Sequence, residues 1–328
     1  MTWAAITGWG MYVPERVLSN ADLERMVDTS DEWIVTRTGI RERRIAATGE
    51  GTASMGAIAA QRAMEHAGVG PLDIDLILFA TMTPDQFMPS TACLLQTAVG
   101  AVRAAPLDLN AACSGFVYAL AVAAQFIQAG SAKTVLLVGS ETFSRFINYQ
   151  DRNTCILFGD GAGAVVLQAR GERTGVLGVD MGALPGTGDL LEIPAGGAAK
   201  PATFDTVAAG LHYVTMQGRE VFKHAVRAMG DSSAKVIAAA GLTPNDVALM
   251  IPHQANLRII EATAKRLDVS MERVYVNVDR YGNTSAATIP IAICEAHAEG
   301  RIRPGDYVVL TAFGGGLTWA SALVQWSK

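Results

Sequence analysis

Residues 106–129 read PLDLNAACSGFVYALAVAAQFIQA, and this stretch decides the fold class. Pro106–Ala112 has the pattern of a strand that ends in a corner of small residues, and Gly115–Ala129 has the pattern of a long helix. A helix that is apolar around its whole circumference is buried on several sides. A strand that turns into such a helix is typical of α/β proteins whose sheets are covered on both faces.

The same alternation continues outward in both directions. Leu76–Ala80 and Thr134–Val138 are short apolar runs that predict buried strands, and Ser54–Ala67 predicts a helix. Gly159–Gly163 lies between two β-rich runs, and we interpret it as a tight hairpin that lets backbones pack closely. The sequence therefore predicts an α/β fold with largely covered sheets.

The two halves of the chain repeat one order of elements. The matched segments are Asp73–Met82 with Asn245–Asn256, the predicted strands Pro106–Ala112 with Val274–Tyr281, and Lys133–Ser140 with Gly305–Thr311. We therefore predict a duplicated unit with halves at residues 1–172 and 173–328. Duplication would place Cys113 and Asn283 at equivalent strand-to-helix junctions that face a pseudo-twofold axis. The alternative is that any α/β protein shows a similar rhythm.

Composition narrows the class of protein. Half of the 328 residues are hydrophobic, only 17% are charged, and the net charge is −5, so we expect a large core and no nucleic-acid partner. We find neither a membrane-spanning apolar run nor a signal-peptide pattern at the N-terminus, so we expect a cytoplasmic protein with no membrane partner. The four cysteines are far apart and lack the spacing of a metal site. A reduced protein with one reactive thiol fits this pattern.

Cys113 is the candidate nucleophile. It stands in Asp-Leu-Asn-Ala-Ala-Cys-Ser-Gly-Phe, directly before the predicted apolar helix. A thiol at a helix N-terminus meets the positive end of the backbone dipole, which favours the thiolate. The alternative is a small buried core cysteine, which is the commoner role of a lone cysteine.

His253 and Asn283 are the candidate partners of this thiol. His253 follows the apolar run Val247–Ile251, and α/β proteins place catalytic side chains at strand ends. Asn283 precedes a predicted helix, and its side-chain amide is suited to stabilising a developing oxyanion. The alternatives are a hydrogen-bonded structural histidine and an N-cap asparagine. Three glycines at 314–316 let backbone N–H groups point at a ligand oxygen, but they lack the spacing of a dinucleotide site.

Taken together, these motifs resemble those of the β-ketoacyl-acyl-carrier-protein synthase III family. The resemblance covers essentially the whole chain, and the motifs that carry it are NAACSGF at 110–116, HQANLRII at 253–260, GNTSAA at 282–287, FGGGLTW at 313–319, TSDEWIVTRTGIRER at 29–43 and FGDGAG at 158–163. It implies a thiolase-like five-layered α-β-α-β-α fold built from two duplicated halves, and a homodimer. It also implies decarboxylating condensation of an acyl-CoA primer with malonyl-acyl-carrier-protein to start fatty acid synthesis, with no metal or redox cofactor.

The resemblance also implies the catalytic roles. Cys113 would take the acyl group from acyl-CoA as a thioester. His253 and Asn283 would hold the malonyl thioester oxygen while CO₂ leaves. The backbone N–H groups of Cys113 and Gly315 would hold the oxyanion that forms when the new carbanion attacks the acyl group.

Binding residues follow from the same resemblance. Trp33, Arg37 and Arg152 match positions that clamp the adenine end of CoA, where an aromatic face and an arginine plane can sandwich a base. The residues that match the wall of the pantetheine tunnel are Thr29, Phe222, Asn256 and Phe313. For the two arginines the alternative is a solvated surface charge.

Basic residues offer a docking surface for an acidic carrier protein. Arg219, Lys223 and Arg227 share one helix face by their spacing, and Arg258, Lys265 and Arg266 lie on the helix after His253. The alternative for both groups is an ordinary solvated helix face.

The primer pocket is predicted from Met88, Phe143 and Phe158. Met88 stands where the family usually carries a phenylalanine gate, and a flexible methionine would open the pocket. Phe143 stands where leucine is usual and would shorten it. The two changes oppose each other, so acetyl, branched and medium-chain primers all stay open.

Two rival functions remain. One is a related acyltransferase or starter-unit enzyme of secondary metabolism that does not decarboxylate. The absence of Asn283 would favour this function. The other is a non-catalytic acyl-CoA-binding subunit, and such a subunit would usually lack the nucleophile. Both Asn283 and Cys113 are present.

Overall fold

Strands and helices alternate along the chain in the computed structural model, which describes residues 2–328. The strands are β1 (Trp3–Tyr12), β2 (Val17–Ser19), β3 (Glu42–Arg44), β4 (Leu76–Ala80), β5 (Ala105–Leu109), β6 (Thr134–Thr142), β7 (Asp160–Arg170), β8 (Gly175–Ala183), β9 (Leu191–Glu192), β10 (Thr215–Met216), β11 (Val247–Pro252), β12 (Tyr307–Gly314) and β13 (Thr318–Gln325). The helices are α1 (Asn20–Glu24), α2 (Asp31–Thr38), α3 (Thr52–Ala67), α4 (Thr91–Val99), α5 (Gly115–Gln128), α6 (Phe204–Ala208), α7 (Gly218–Ala239), α8 (Leu257–Leu267), α9 (Val278–Tyr281) and α10 (Thr288–Ala298).

Two large sheets organise the fold, and they share one topology. The first has the strand order β1-β7-β6-β4-β5, and the second has the order β8-β13-β12-β11. In each sheet the first three strands are antiparallel neighbours and the next pair is parallel. The first sheet belongs to the N-terminal half and the second to the C-terminal half. The predicted division at 172–173 lies in the turn between β7 and β8.

The fifth strand of the second sheet is reduced to a single bridge, and here the sequence prediction is wrong. Val274–Tyr281 was expected to mirror Pro106–Ala112 as a strand. Only Val274 pairs with the sheet, by one parallel bridge to Met250, and residues 278–281 form the helical turn α9. The backbone N–H of Asn277 donates instead to the side chain of Gln254, at 3.0 Å, which ends strand pairing there.

Helices fill the space between the sheets and cover their outer faces, which gives five layers. The helices α3 and α4 pack on the outside of the first sheet, and α7 packs on the second with α8 beside it. The helices α5 and α10 lie between the two sheets and contact both. This arrangement confirms the predicted α-β-α-β-α fold. It also explains why α5 is apolar around its circumference.

The glycine-rich segment Gly159–Gly163 is not a hairpin. Its last four residues begin β7, which pairs with β6 on one side and β1 on the other. The predicted close packing is nevertheless present, because a Cβ atom on Gly163 would lie 2.7 Å from the Cβ atom of Pro290 in α10.

No helix within residues 2–328 is both long and apolar enough to span a bilayer.

Candidate active site

Two matching turns meet where the halves of the chain face each other. One is the 3-10 turn Ala112–Ser114 before α5, and the other is the 3-10 turn Ser285–Ala287 before α10. The side chains of Asn110 and Asn283 each accept a hydrogen bond from the backbone N–H two residues later, at 3.0 and 2.8 Å. The two turns pack directly against each other.

This correspondence refines the predicted symmetry of the site. Ala112 and Ser285 both have left-handed backbone conformations, with φ of 47° and 50°, which non-glycine residues seldom adopt. Asn283 is therefore the counterpart of Asn110, and Cys113 is the counterpart of Ala286. Cys113 and Asn283 lie at equivalent junctions, as predicted. Within its junction, however, Asn283 stands three residues before the counterpart of Cys113.

Cys113 is almost completely enclosed, with 6% of its surface exposed. Burial raises the pKa of its thiol to about 12, a hydrogen bond with Ser285 opposes the rise, and the charge of Glu141 adds to it. The resting thiol is therefore protonated at neutral pH. This differs from the expectation that the helix dipole alone would favour the thiolate, because desolvation of a charge outweighs the dipole here.

His253 follows β11 and is 3% exposed. Its Nδ1 lies 2.7 Å from Oγ1 of Thr288, whose hydroxyl is also 3.0 Å from the carbonyl oxygen of Ser285. The Thr288 hydroxyl has one proton. When it donates that proton to the Ser285 carbonyl, Nδ1–H of His253 is the donor to Thr288; when it donates to Nδ1 instead, the proton of His253 lies on Nε2. Burial lowers the pKa of His253 to about 3, so the ring is neutral over the physiological range.

Because His253 is buried in its neutral form, we expect the free energy of unfolding of the protein to fall in acid. Below pH 6.5 the unfolded chain binds a proton that the folded chain does not bind until about pH 3, so acid favours unfolding. Between pH 7.5 and 5.0 the wild type should lose about 2 kcal/mol more of its free energy of unfolding than His253→Gln, which lacks this proton uptake. Denaturant titrations at both pH values check this, and equal losses would contradict it.

Asn283 presents its amide nitrogen to the cavity. Its Oδ1 is occupied by the N–H of Ser285, and its Nδ2 donates to no group in residues 2–328. The N–H groups of Cys113 and Gly315 likewise have no backbone acceptor among these residues. Gly314 lets the end of β12 approach this point, because a Cβ atom there would lie 2.6 Å from the Cys113 nitrogen. Cys113, Asn283 and Gly315, which carry these unpaired donors, thus line the cavities that adjoin the thiol.

A cavity of about 960 Å³ brings the predicted site residues together. Its lining includes Cys113, His253, Asn283, Phe222, Asn256, Phe313, Trp33, Arg37 and Arg258. Asn256 also has a structural role, since its Oδ1 caps α8 by accepting from the N–H of Arg258 and its Nδ2 donates to the carbonyl of Arg37. Thr29 is not part of the lining, although its hydroxyl oxygen is buried without a hydrogen-bond partner in residues 2–328.

Two arginines lie over the ring of Trp33, which lines this cavity. The guanidinium carbons of Arg37 and Arg152 lie 4.3 and 5.0 Å from its ring centroid. Arg152 also donates to the carbonyl of Asp28 at 3.0 Å. A base placed between Trp33 and Arg152 needs a gap of about 7 Å, twice a van der Waals contact, so Arg152 must move outward to admit it.

The basic residues of the docking prediction differ in their pairing. Lys223 is bound to Glu220, and both Arg227 and Arg266 are bound to Asp231. Arg258, Lys265 and Arg219 form no ion pair within residues 2–328, and Arg258 and Arg219 line the cavity. Arg258 is therefore a cation at the cavity wall without a neutralising neighbour in the described chain.

A second cavity of about 170 Å³ adjoins Cys113 and Gly315. Phe143 and Phe158 both line it, and their rings are stacked at 4.1 Å with an interplanar angle of 6°. Met88 does not line this cavity in the described chain, because its side chain is 86% exposed. Asp85 caps α3 and Ser90 caps α4, so the loop between them crosses the outside of the sheet and carries Met88 with it.

Several residues of the site were missed by sequence reasoning. Glu141 and Ser285 contact each other behind Cys113, and Leu191 and Val214 line the smaller cavity. Arg43 is fully buried and donates to the carbonyl of Ile156, beside the cavity wall. An acidic residue at the end of an apolar, strand-like run was the one available signal for Glu141. In residues 2–328 no group of three or more His, Cys, Asp or Glu side chains is arranged to hold a metal ion.

Comparison with known proteins agrees with this geometry. A family model described as 3-oxoacyl-[acyl-carrier-protein (ACP)] synthase III matches residues 107–185, and one described as its C terminal part matches residues 237–326. The β-ketoacyl-[acyl-carrier-protein] synthase III of Roseiflexus sp. (strain RS-1) is 59% identical over 325 residues, which is 99% of each chain. The chain belongs to the 3-oxoacyl-[acyl-carrier-protein] synthase III family.

Other members of the synthase III family support this assignment. The Caldanaerobacter subterraneus β-ketoacyl-[acyl-carrier-protein] synthase III is 51% identical, with 99% of this chain and 98% of the relative covered. The crystal structure of 3-oxoacyl-[acyl-carrier-protein] synthase III from Aquifex aeolicus VF5 superimposes with a TM-score of 0.91 at 47% identity, covering 98% of this chain and all of that one. The five-layered fold is therefore the fold of the synthase III family.

Proposed function

We propose that this protein condenses an acyl-CoA primer with malonyl-acyl-carrier-protein, releasing CO₂ and CoA and giving the 3-oxoacyl-acyl-carrier-protein that starts fatty acid synthesis. The observation that carries the proposal is the lining of one cavity by Cys113, His253 and Asn283 in a member of the synthase III family. No metal or redox cofactor is required. Acyl-CoA and the carrier protein are the substrates.

The first half-reaction uses Cys113. Its sulfur attacks the thioester carbonyl of acyl-CoA, the bond from that carbon to the CoA sulfur breaks, and the acyl group stays on Cys113. The N–H groups of Cys113 and Gly315 are placed in the oxyanion role, which is supported by their lack of backbone acceptors.

The second half-reaction uses His253 and Asn283. In the tautomer in which Thr288 donates to Nδ1, Nε2–H of a neutral His253 would donate to the malonyl thioester oxygen together with the amide of Asn283. That oxygen gains negative charge as the C–C bond to CO₂ breaks. The low pKa and the burial of His253 support a neutral imidazole ring as the donor. The resulting carbanion attacks the acyl-Cys113 carbonyl and restores the thiolate when the product leaves.

A balance of products tests the proposal directly. Purified protein is incubated with acetyl-CoA and malonyl-carrier-protein, intact mass follows the carrier product, and labelled CO₂ is trapped. We expect one CO₂ for each 3-oxoacyl product. Acyl transfer without CO₂ release would favour the non-decarboxylating acyltransferase, and binding without turnover would favour a non-catalytic subunit.

We also propose that the protein is a cytoplasmic homodimer. The free cysteines suit a reducing compartment. Phe87 and Met88, both 86% exposed, form an apolar patch that a second copy would cover. Sedimentation equilibrium would give twice the chain mass if the dimer forms.

Arg258 is proposed to dock the acidic carrier protein. Arg258→Glu should repel the carrier and lower kcat/KM for malonyl-carrier-protein about tenfold at low salt, because charge acts on the association rate. The defect should shrink at high salt, as the Debye length falls below about 10 Å. Acyl transfer from CoA to Cys113 should persist, since it involves no carrier.

The matched control is Arg103→Glu, which reverses an exposed charge on the loop between α4 and β5. Steady-state rates with malonyl-carrier-protein and malonyl-CoA separate docking from catalysis. If Arg258→Glu slows both donors equally and salt has no effect, Arg258 has a structural role and docking occurs elsewhere. Arg219 is then the next candidate.

Phe143 is proposed to limit primer length. Phe143→Leu removes one ring of the stacked pair that lines the smaller cavity, so longer primers should fit. Each additional buried methylene contributes about 0.8 kcal/mol, so we expect kcat/KM for four- to six-carbon primers to rise about fourfold per carbon admitted. An acyl-CoA panel measures this. Phe146→Leu, outside the cavity, is the control, and an unchanged primer order in Phe143→Leu would contradict the assignment.

A further inference from the structure

Arg43 is a buried guanidinium that the proposed mechanism leaves without a role. It lies in β3 with 0% of its surface exposed. Its Nη1 donates to the carbonyl of Leu18 at 3.2 Å and to Oδ1 of Asn20 at 2.8 Å, and its Nη2 donates to the carbonyl of Ile156 at 2.5 Å. Burial lowers its pKa to about 10, so the group stays charged at neutral pH. All three acceptors are neutral, so hydrogen bonds rather than an ion pair compensate the lost hydration of this charge.

The carbonyl that Arg43 holds opens the segment 156–159, and this segment fixes the backbone of Asn283. The N–H of Asn283 donates to the carbonyl of Leu157 at 2.8 Å, and the N–H of Gly159 donates to the carbonyl of Asn283 at 3.0 Å. These two stretches of backbone thus form a parallel bridge at Asn283. A shift of segment 156–159 therefore moves the backbone of Asn283 with it.

Arg43 also packs directly against both sides of this bridge. A Cβ atom on Gly159 would lie 3.0 Å from the Cβ atom of Arg43, and one on Gly282 would lie 3.3 Å from it. Gly282 directly precedes Asn283 and has a left-handed φ of 62°, which glycine adopts without strain. The missing side chains let both stretches of backbone close on the stem of Arg43.

We propose that Arg43 is a positioning residue that fixes where Asn283 presents its amide nitrogen to the malonyl thioester oxygen. Arg43 holds the carbonyl of Ile156, segment 156–159 holds the backbone of Asn283, and the amide of Asn283 donates to the oxygen as CO₂ leaves. Misplacement of a catalytic group by about 1 Å can cost about 100-fold in rate. The inference rests on the proposed function and deepens it, since it adds a residue that acts on the second half-reaction through Asn283.

The rigid fork of Arg43 joins two parts of the chain. Asn20 and Ile156 accept from different guanidinium nitrogens, and Asn20 is itself held by donating from Nδ2 to Oδ1 of Asp31 at 2.8 Å. Asp31 is the first residue of α2, the helix that carries Trp33. A lysine ammonium is a point charge on a flexible stem and lacks this fork. Arg43→Lys should therefore keep the charge and loosen the segment, whereas Arg43→Met removes both the charge and the donors.

The test measures the two half-reactions separately in purified protein. Arg43→Lys should release labelled CO₂ from malonyl-carrier-protein about tenfold more slowly and Arg43→Met about 100-fold more slowly, because the amide of Asn283 is then misplaced. Acylation of Cys113 by saturating acetyl-CoA, followed by intact mass in a single turnover, should change less than about twofold, since Asn283 has no part in that step.

The matched control is Arg273→Met. The guanidinium of Arg273 donates to three carbonyl oxygens at and just before the start of β11, at 3.0, 3.2 and 3.0 Å, so its removal breaks a comparable set of hydrogen bonds. That end of β11 is the one opposite His253. Both half-reactions should keep their wild-type rates in this variant.

A double-mutant cycle separates positioning from general support of the fold. In the Asn283→Ala background, Arg43→Met should slow CO₂ release by less than about twofold more, because the positioned group is already absent. A loss as large there as in the wild-type background, or a parallel loss of acylation, would overturn the inference. If thermal unfolding shows that Arg43→Met does not fold, Arg43→Lys takes its place in the cycle.

Amide hydrogen exchange tests the link between Arg43 and Asn283 without any substrate. In Arg43→Lys, peptides that contain the N–H groups of Gly159 and Asn283 should exchange about tenfold faster than in the wild type, and in Arg273→Met they should not. Unchanged exchange in Arg43→Lys would contradict the inference whatever the activity. If the wild type releases no CO₂ while exchange responds as expected, the proposed function fails and the link between Arg43 and Asn283 stands.

Discussion

Replacing Cys113 by serine is expected to abolish acylation by acyl-CoA and to lower condensation roughly 10⁴-fold or more, the scale on which hydrolases lose activity without their nucleophile. A serine hydroxyl in this buried turn is a far weaker nucleophile than a thiolate. Brief exposure of the wild type to acetyl-CoA should add one acetyl group, and peptide mapping should place it on Cys113.

The other cysteines provide the controls for this experiment. Cys93, Cys155 and Cys294 line neither of the two cavities that Cys113 lines in residues 2–328. Cys155→Ser and Cys294→Ser should therefore still become acylated on Cys113. An adduct confined to Cys93, Cys155 or Cys294 would overturn the mechanism.

His253→Ala and Asn283→Ala are expected to separate the two half-reactions. Each should still accept an acyl group on Cys113, because the proposed acylation step uses the thiol and the N–H groups of Cys113 and Gly315 and neither of these side chains. Each should decarboxylate malonyl-carrier-protein about 100- to 1000-fold more slowly, the usual cost of losing one oxyanion donor. Single-turnover acylation by intact mass and release of labelled CO₂ measure the two steps separately.

Asn283→Asp sharpens this experiment. The aspartate keeps an oxygen that accepts from the N–H of Ser285, so the turn survives, and it replaces only the donating nitrogen. We expect a loss at least as large as that of Asn283→Ala, since a carboxylate would repel the enolate. If acylation collapses while decarboxylation stays normal, the roles of Cys113 and its partners must be reassigned.

Sequence reasoning succeeded where the signal was local. The strand Leu76–Ala80 has the bounds that its apolar run predicted, and α3 and α5 agree with the predicted helices within two residues. It failed at Val274–Tyr281, where three β-prone residues predicted a strand. The side chain of Gln254 accepts from the backbone N–H of Asn277, and the side chain of Asn277 donates to Glu295, so tertiary hydrogen bonds determine the conformation there.

For single surface residues, the sequence leaves the surroundings of each side chain open, for a physical reason. The spacing of Arg219, Lys223 and Arg227 placed them on one helix face, but spacing does not reveal the partners of a charge. Ion pairs with Glu220 and Asp231 occupy two of the three residues. Met88 is exposed because two helix caps at either end of its loop direct the chain across the outside of the sheet.

By itself, the sequence indicated the α/β class, the duplicated order of elements and the three side chains on which the proposed chemistry depends. Those properties follow from local periodicity and from short motifs, each contained within a few neighbouring residues. Only the tertiary structure decided that Glu141 meets Ser285, 144 residues away, and that the turn carrying Ser285 packs against the turn carrying Cys113. Such contacts depend on how two sheets and two central helices stack, because side chains that approach only through layer packing leave no shared pattern along the chain.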